Sequence, residues 1–122
     1  MKEAMTIIAA AILALISAGG AAAENPLGLS GSQIRARFTG MQLTDEVHWR
    51  DAYERDGSLR SYTLGKKTVG RWAVRKDELC LYFKEPDNGC YEVWLSGDRI
   101  EMKPSGLGLS IEGILQTPTD RN

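Results

Sequence analysis

"LCLYFKEPDNGCYEVW", residues 79–94, carries both cysteines of the chain, Cys80 and Cys90, and the way it folds back on itself decides the fold. A tetrahedral zinc site needs four ligands, and the single histidine, His48, lies far away in sequence. A thioredoxin-type redox pair needs Cys-x-x-Cys, which this spacing does not offer. If the chain reverses at "KEPDNG", residues 84–89, Cys80 falls opposite Cys90. Leu79, Leu81, Phe83, Tyr91, Val93 and Leu95 then share one face. Two directly opposed strand residues are within reach of a disulfide. The expectation is therefore a stapled β-hairpin.

The same register logic extends upstream. Pairing Val74 with Leu79 across "RKDE", residues 75–78, sets Trp72 against Leu81 and Gly70 against Phe83. Ala73 then meets Cys80 and Arg71 meets Tyr82 on the other face. Earlier still, Val47, Trp49 and Tyr53 alternate with polar residues. "RDGS" (55–58) marks a turn, Leu59–Leu64 a strand, "GKK" (65–67) a turn and Val69–Val74 a strand. A helix opening at Thr44 is the rival over residues 45–55. Strand is preferred because a β-rich tract follows.

Downstream of the hairpin, "SGDR" (96–99) turns the chain, and Ile100 and Met102 continue the apolar face. Pro104–Gly106 breaks it, Leu107, Leu109 and Ile111 form a last alternating strand, and the tail from Gln116 frays. Ahead of all the strands, Ser30-Gly31-Ser32-Gln33 matches a capping box. Ile34 and Phe38 stand four apart and Gly40 closes the segment, which predicts one short helix over about residues 31–39. Arg35 and Arg37 form its wet face, and Glu24–Leu29 is a short polar lead. The sum is a mainly β, antiparallel up-and-down meander. It forms a small closed or nearly closed barrel of seven or eight strands with one short N-terminal helix, the alternative being a two-layer sandwich.

The first residues read as a signal peptide. "TIIAAAILALISA", residues 6–18, is apolar or small throughout but shorter than the ~20 residues a spanning helix needs. Ala21-Ala22-Ala23 supplies a small-x-small cleavage site, predicted after Ala23. Residues 1–23 are then the signal, and residues 24–122 form one domain, periplasmic or secreted, with no stable membrane anchor after cleavage. Export places Cys80 and Cys90 where paired thiols oxidise. A formal charge of −1 argues against a nucleic-acid or anionic-lipid footprint.

Chemistry-bearing residues do not converge. His48 has Asp45, Glu46 and Asp51 near it in sequence, but no serine sits in a Gly-x-Ser-x-Gly setting. Asp77 and Glu78 occupy a turn, where carboxylates bond the local backbone. "GKKT" (65–68) lacks the upstream glycine and the following Ser or Thr of a phosphate loop. Lys66, Lys67, Arg71, Arg75 and Lys76 read as a solvated rim. No catalytic residue, metal ligand set or cofactor motif is expected. Trp94 and Tyr82 fall on the disulfide face and form the candidate binding surface, with packing over the disulfide as the competing role.

The series "LSG" (29–31), "DGSLR" (56–60), "GRWAV" (70–74), "DELC" (77–80), "CYEVW" (90–94) and "SGD" (96–98) resembles small exported, disulfide-containing proteins of proteobacteria, alphaproteobacteria especially, that form an uncharacterised family. The resemblance spans Leu29 to about Met102 and rests on Gly57, Gly70, Trp72, Cys80 and Cys90. These are scaffold positions, so it implies fold and compartment and carries no active site. Gly70-x-Trp72 is also similar to the Gly-x-Trp of lipocalin-like barrels, but lies mid-chain rather than on a first strand. Periplasmic inhibitors of lysozyme or proteases are likewise compact disulfide-bearing barrels. The leading expectation is a non-catalytic, surface-binding or envelope accessory protein whose partner the sequence does not identify, another protein being one candidate. A hydrolase inhibitor is the concrete alternative. A small-ligand carrier ranks lower, because the large inward side chains are expected to fill the interior.

Overall fold

The computed structural model describes residues 25–84 and 88–118. The expected signal peptide, the centre of the "KEPDNG" turn and the last four residues lie outside the described residues. Nine strands and one helix follow in chain order: β1 (Leu27–Gly28), α1 (Gly31–Phe38), β2 (Gln42–Thr44), β3 (Trp49–Tyr53), β4 (Ser58–Thr63), β5 (Lys66–Arg75), β6 (Glu78–Tyr82), β7 (Gly89–Ser96), β8 (Arg99–Pro104) and β9 (Ile111–Gln116). Strands β2 to β9 pair each with the next, always antiparallel, and β9 returns to β2. The result is a closed eight-stranded barrel, which removes the exposed edges a flat sheet would carry.

β7 is long enough to hold two neighbours on one edge. Its first residues pair with β6, through Leu79↔Tyr91, Cys80↔Cys90 and Leu81↔Gly89. Where β6 departs, β1 takes over through Leu27↔Leu95 and Gly28↔Trp94. The polar lead of the sequence reading is thus in part a strand.

The hairpin register is the expected one: Trp72↔Leu81, Ala73↔Cys80, Val74↔Leu79 and Arg71↔Tyr82. A side chain at Gly70 would collide with the Tyr82 carbonyl oxygen and the Phe83 ring, so the missing Cβ is what lets Phe83 lie across the strand. Inward residues Leu43, Tyr53, Leu59, Trp72, Leu79, Leu81, Val93, Leu95, Ile100 and Met102 are buried in one cluster. Apolar burial of this kind contributes ~1.5–3 kcal/mol per large side chain.

α1 plugs one end. Ser30 Oγ accepts the Gln33 backbone N–H at 3.3 Å, while Gln33 Oε1 accepts the Ser30 N–H at 2.8 Å, completing the capping box. Arg35 and Arg37 in the last turn suit the negative end of the helix dipole. Ile34 and Phe38 are fully buried, and Phe38 meets Tyr53 edge-on at 5.0 Å, as Tyr53 meets Trp72 at 5.5 Å. Asp77 in the β5–β6 turn accepts the Gly31 N–H at 2.8 Å. The turn carboxylate therefore caps a helix distant in sequence rather than its own turn.

Four expectations fail, three in the loops of the open end and one at the end of the last strand. Leu107 and Leu109 are not strand residues: they are 103% and 89% exposed, and β9 begins only at Ile111. Ile111, Gly113 and Leu115 carry the inward alternation that "GLGLS" imitates. Val47 and Leu64 are loop residues outside the core, and the GKK turn is centred one residue earlier, at Leu64–Gly65. Gln116 does not fray but pairs with Gln42.

Asp51 is a carboxylate that faces inward. Burial pushes the Asp51 carboxyl up to about 6, against a lowering bond from Ser61. Its Oδ1 and the Tyr53 hydroxyl have no hydrogen-bond partner among the described residues. Burial first, then Asp51 and Tyr91, raise the Tyr53 phenol well above its ordinary value.

For an acid whose folded pKa is raised, stability is highest when the group is protonated and falls as pH rises between the unfolded and folded values. Asp51 should therefore cost the fold nothing near pH 3, progressively more from about pH 4 to 6, and up to about 3 kcal/mol above that. Chemical denaturation across pH 4–8 should show Asp51→Asn gaining stability over the wild type through that window. A constant difference would contradict the assignment. The Cys80–Cys90 disulfide closes a short loop, for which chain entropy gives about 2.5–3 kcal/mol. Replacing both cysteines with alanine should lower the denaturation midpoint accordingly.

Candidate functional site

The β2–β3 loop is built around one side chain. Asp45 Oδ1 accepts the backbone N–H groups of Val47 (2.9 Å), His48 (2.7 Å) and Trp49 (3.0 Å), and Oδ2 meets His48 Nδ1 at 2.8 Å. Thr44 Oγ1 accepts the Glu46 N–H at 2.8 Å and donates to the Trp49 carbonyl at 2.6 Å. Desolvation raises the Asp45 carboxyl. The three N–H bonds and His48 outweigh it and hold the group well below the ordinary carboxylate range. Glu46 adopts a positive φ of 73°, a conformation uncommon outside glycine. These bonds leave Val47 77% exposed at the loop tip.

The β4–β5 turn stands beside this loop, tied to it by the Leu64 N–H donating to the His48 carbonyl at 2.9 Å. Leu64 also has positive φ, 52°, and is 77% exposed. Two tight turns thus hold two apolar side chains out into solvent, side by side.

Below them the outer surface of the barrel forms a groove of about 570 Å³. Its floor follows from the strand register, with Thr44 opposite Arg50, Arg50 opposite Tyr62 and Tyr62 opposite Lys67 in one outward row. Gln42 and Gln116 lie in the next row. The Arg50 guanidinium stacks 3.9 Å over the Tyr62 ring. Gln42 is 2% exposed, and its Nε2 donates to Gln116 Oε1 at 3.1 Å. Gln42 Oε1 is buried without a partner among the described residues. An acceptor in that state costs stability until a donor reaches it.

The residues singled out from the sequence behave differently. Tyr82 and Trp94 do share the outer face with Cys80 and Cys90. However, Tyr82 lies beyond the disulfide toward the β6–β7 turn, and Trp94 lies four residues the other way. The separation is about 20 Å along the strand, so they form neither one patch nor a joint cover for the disulfide. Tyr82 accepts a bond from Arg75 Nε at 2.8 Å. Trp94 lies against Gly28, under the Lys103 ammonium at 4.6 Å, and donates to Glu92 Oε1 at 3.3 Å. It lines a second groove with Lys76, Asp77, Glu78 and Glu92.

Glu78 sits close to both cysteine sulfurs. Those sulfurs are consumed in the disulfide and offer no thiolate to a metal. Asp51 points into the barrel and so does not join His48 and Asp45.

Sequence reading missed Gln42, Thr44, Arg50, Tyr62 and Gln116: the hairpin registers align Thr44, Arg50 and Tyr62, and only barrel closure brings Gln116 to Gln42. Thr44-Asp45 did carry a legible signal. Oxygen side chains that accept the following backbone N–H groups cap helices, and they close non-helical loops by the same bonds. No protein-family model, no curated protein and no solved structure matches this chain.

If Asp45 is what stiffens the loop, Asp45→Ala should leave the barrel intact. Hydrogen exchange at the Val47, His48 and Trp49 amides should then speed up by at least an order of magnitude, while amides of β6 and β7 stay unchanged.

Proposed function

We propose that the protein is an exported, non-catalytic β-barrel that binds another protein through the face formed by the β2–β3 loop and the β4–β5 turn. The observation that carries this reading is the exposure of Val47 and Leu64 on two mutually bonded turns. Both turns accept an unfavourable backbone conformation to hold them out. Strain of that kind persists only where the surrounding structure enforces it, and a preordered apolar tip loses little entropy when a partner covers it. The Cys80–Cys90 disulfide favours an oxidising compartment. Among the described residues no helix is long and apolar enough to cross a membrane.

The chemistry of the groove supports binding rather than turnover. His48 is bonded to Asp45, but among the described residues no serine or cysteine lines the groove, and the Thr44 hydroxyl is committed to the loop backbone. The rigidity of the loop gives specific support to a second reading, that the partner is a hydrolase and the barrel its inhibitor, since inhibitory loops work by being ordered beforehand. Burial of Tyr53, Trp72, Met102 and their neighbours inside the barrel favours both readings over a carrier.

Val47→Asp combined with Leu64→Asp should fold as well as the wild type, because both residues are exposed and Asp tolerates the left-handed conformation of residue 64. Immobilised protein should capture a partner from periplasmic or host extract, and the double variant should lose it while Trp94→Ala keeps it. Loss on Trp94→Ala together with retention by the double variant would move the surface to the other groove.

A further inference from the structure

We infer that the groove beneath Val47 and Leu64 takes a carboxylate group carried on an extended polypeptide segment. This inference rests on the reading of that face as a protein-binding surface and names what the surface recognises. The first ground is Arg50. Arg50 is half-buried with its guanidinium stacked on Tyr62, and no carboxylate pairs with it among the described residues. Stacking fixes the plane of the fork and leaves its N–H edge free, the geometry that suits a bidentate carboxylate. Lys67, exposed on the far side of Tyr62 in the same row, adds a second cation with no acid partner among the described residues. Glu46 on the rim is the opposing charge, while the Asp45 carboxylate is occupied by its own loop.

The second ground is Gln42, which lines the same groove and whose Oε1 is shut off from solvent with no donor among the described residues. Thr44 lies opposite Arg50 and Gln42 opposite Ala52, so Gln42 and Arg50 are diagonal neighbours, about 7–8 Å apart between Cα atoms. A ligand that answers both must turn the Gln42 amide outward and present a hydrogen-bond donor and an anion within that span. One residue of an extended chain does so with its backbone N–H and its carboxylate. Val47 and Leu64 are placed to receive apolar side chains flanking that residue.

A sugar acid offers the same polar pair. Yet the Tyr62 face on the groove is covered by Arg50, and the Trp49 ring packs against Gly113. Among the described residues no tyrosine or tryptophan face is left open in the groove for a sugar ring to stack on.

The test is an NMR titration of the purified, oxidised protein with three peptides: acetyl-Gly-Leu-Glu-Leu-Gly-amide, its Gln counterpart, and that Gln peptide with a free C-terminus. The Glu peptide, the free-acid peptide or both should shift the amides of Gln42, Thr44, Arg50, Tyr62 and Leu64. The neutral amide should bind at least about tenfold more weakly, the factor expected for a charge-assisted hydrogen bond. Which carboxylate peptide binds tells a side-chain acid from a chain terminus.

Arg50→Gln should remove the preference for carboxylate, and Arg50→Lys should restore only part of it, since the charge returns without the fork. Amide shifts far from β3 and β4 verify that both variants are folded. Equal binding of the neutral amide, an undiminished preference in Arg50→Gln, or shifts with D-glucuronate and none with any peptide would each overturn the inference. If partner capture still depends on Val47 and Leu64 while carboxylate preference is absent, the binding face stands and the carboxylate assignment falls.

Discussion

Everything in this molecule hangs on a two-residue alternation kept in phase across eight strands. Trp72, Leu81, Val93 and Met102 sit on four successive strands and point into the same interior. A slip of one residue in any pairing would turn a whole strand's apolar set into water. The Cys80–Cys90 bond pins that phase covalently at one pairing. Closure of β9 onto β2 carries the constraint round, so that no strand can slide without opening the barrel. The helix then has a defined rim to cover, and Phe38, Tyr53 and Trp72 close the stack beneath it edge to edge.

The candidate groove is a by-product of the same phase. Arg50, Tyr62 and Lys67 are outward because Trp49, Asp51 and Ser61 are inward, and they form a row because three strands agree on register. What the alternation does not set is the shape of the loops. There local bonds govern: a single aspartate gathers three backbone N–H groups, and Glu46 and Leu64 are held at positive φ. Regular strands thus supply a flat polar floor, and irregular turns supply its apolar rim.

The parts legible in the sequence were those where local chemistry and long-range pairing agree. Ser30 and Gln33 cap a helix whatever surrounds them. The Val74–Leu79 and Cys80–Cys90 registers follow from turns short enough to leave one solution. Leu107 and Leu109 misled because alternation is a necessary sign of a strand but not a sufficient one, and the inward places it would fill are taken by Ile111, Gly113 and Leu115. Val47 and Leu64 misled in the other direction, since an apolar residue reads as core until the backbone that carries it is known. The Gln42–Gln116 contact was invisible because it joins the first barrel strand to the last. The two-residue β1 was missed because so short a segment has no period, and its place depends on β6 leaving β7.

That short strand fixes the orientation of the molecule relative to whatever precedes it. Leu27 pairs with Leu95 near the helix-plugged end, whereas the β2–β3 loop and β4–β5 turn project from the opposite end. A barrel tethered through its N-terminal side would therefore display the Val47–Leu64 face outward, away from the point of attachment. In immobilised or fused form, the leading end of the chain is the natural handle and the groove the free pole.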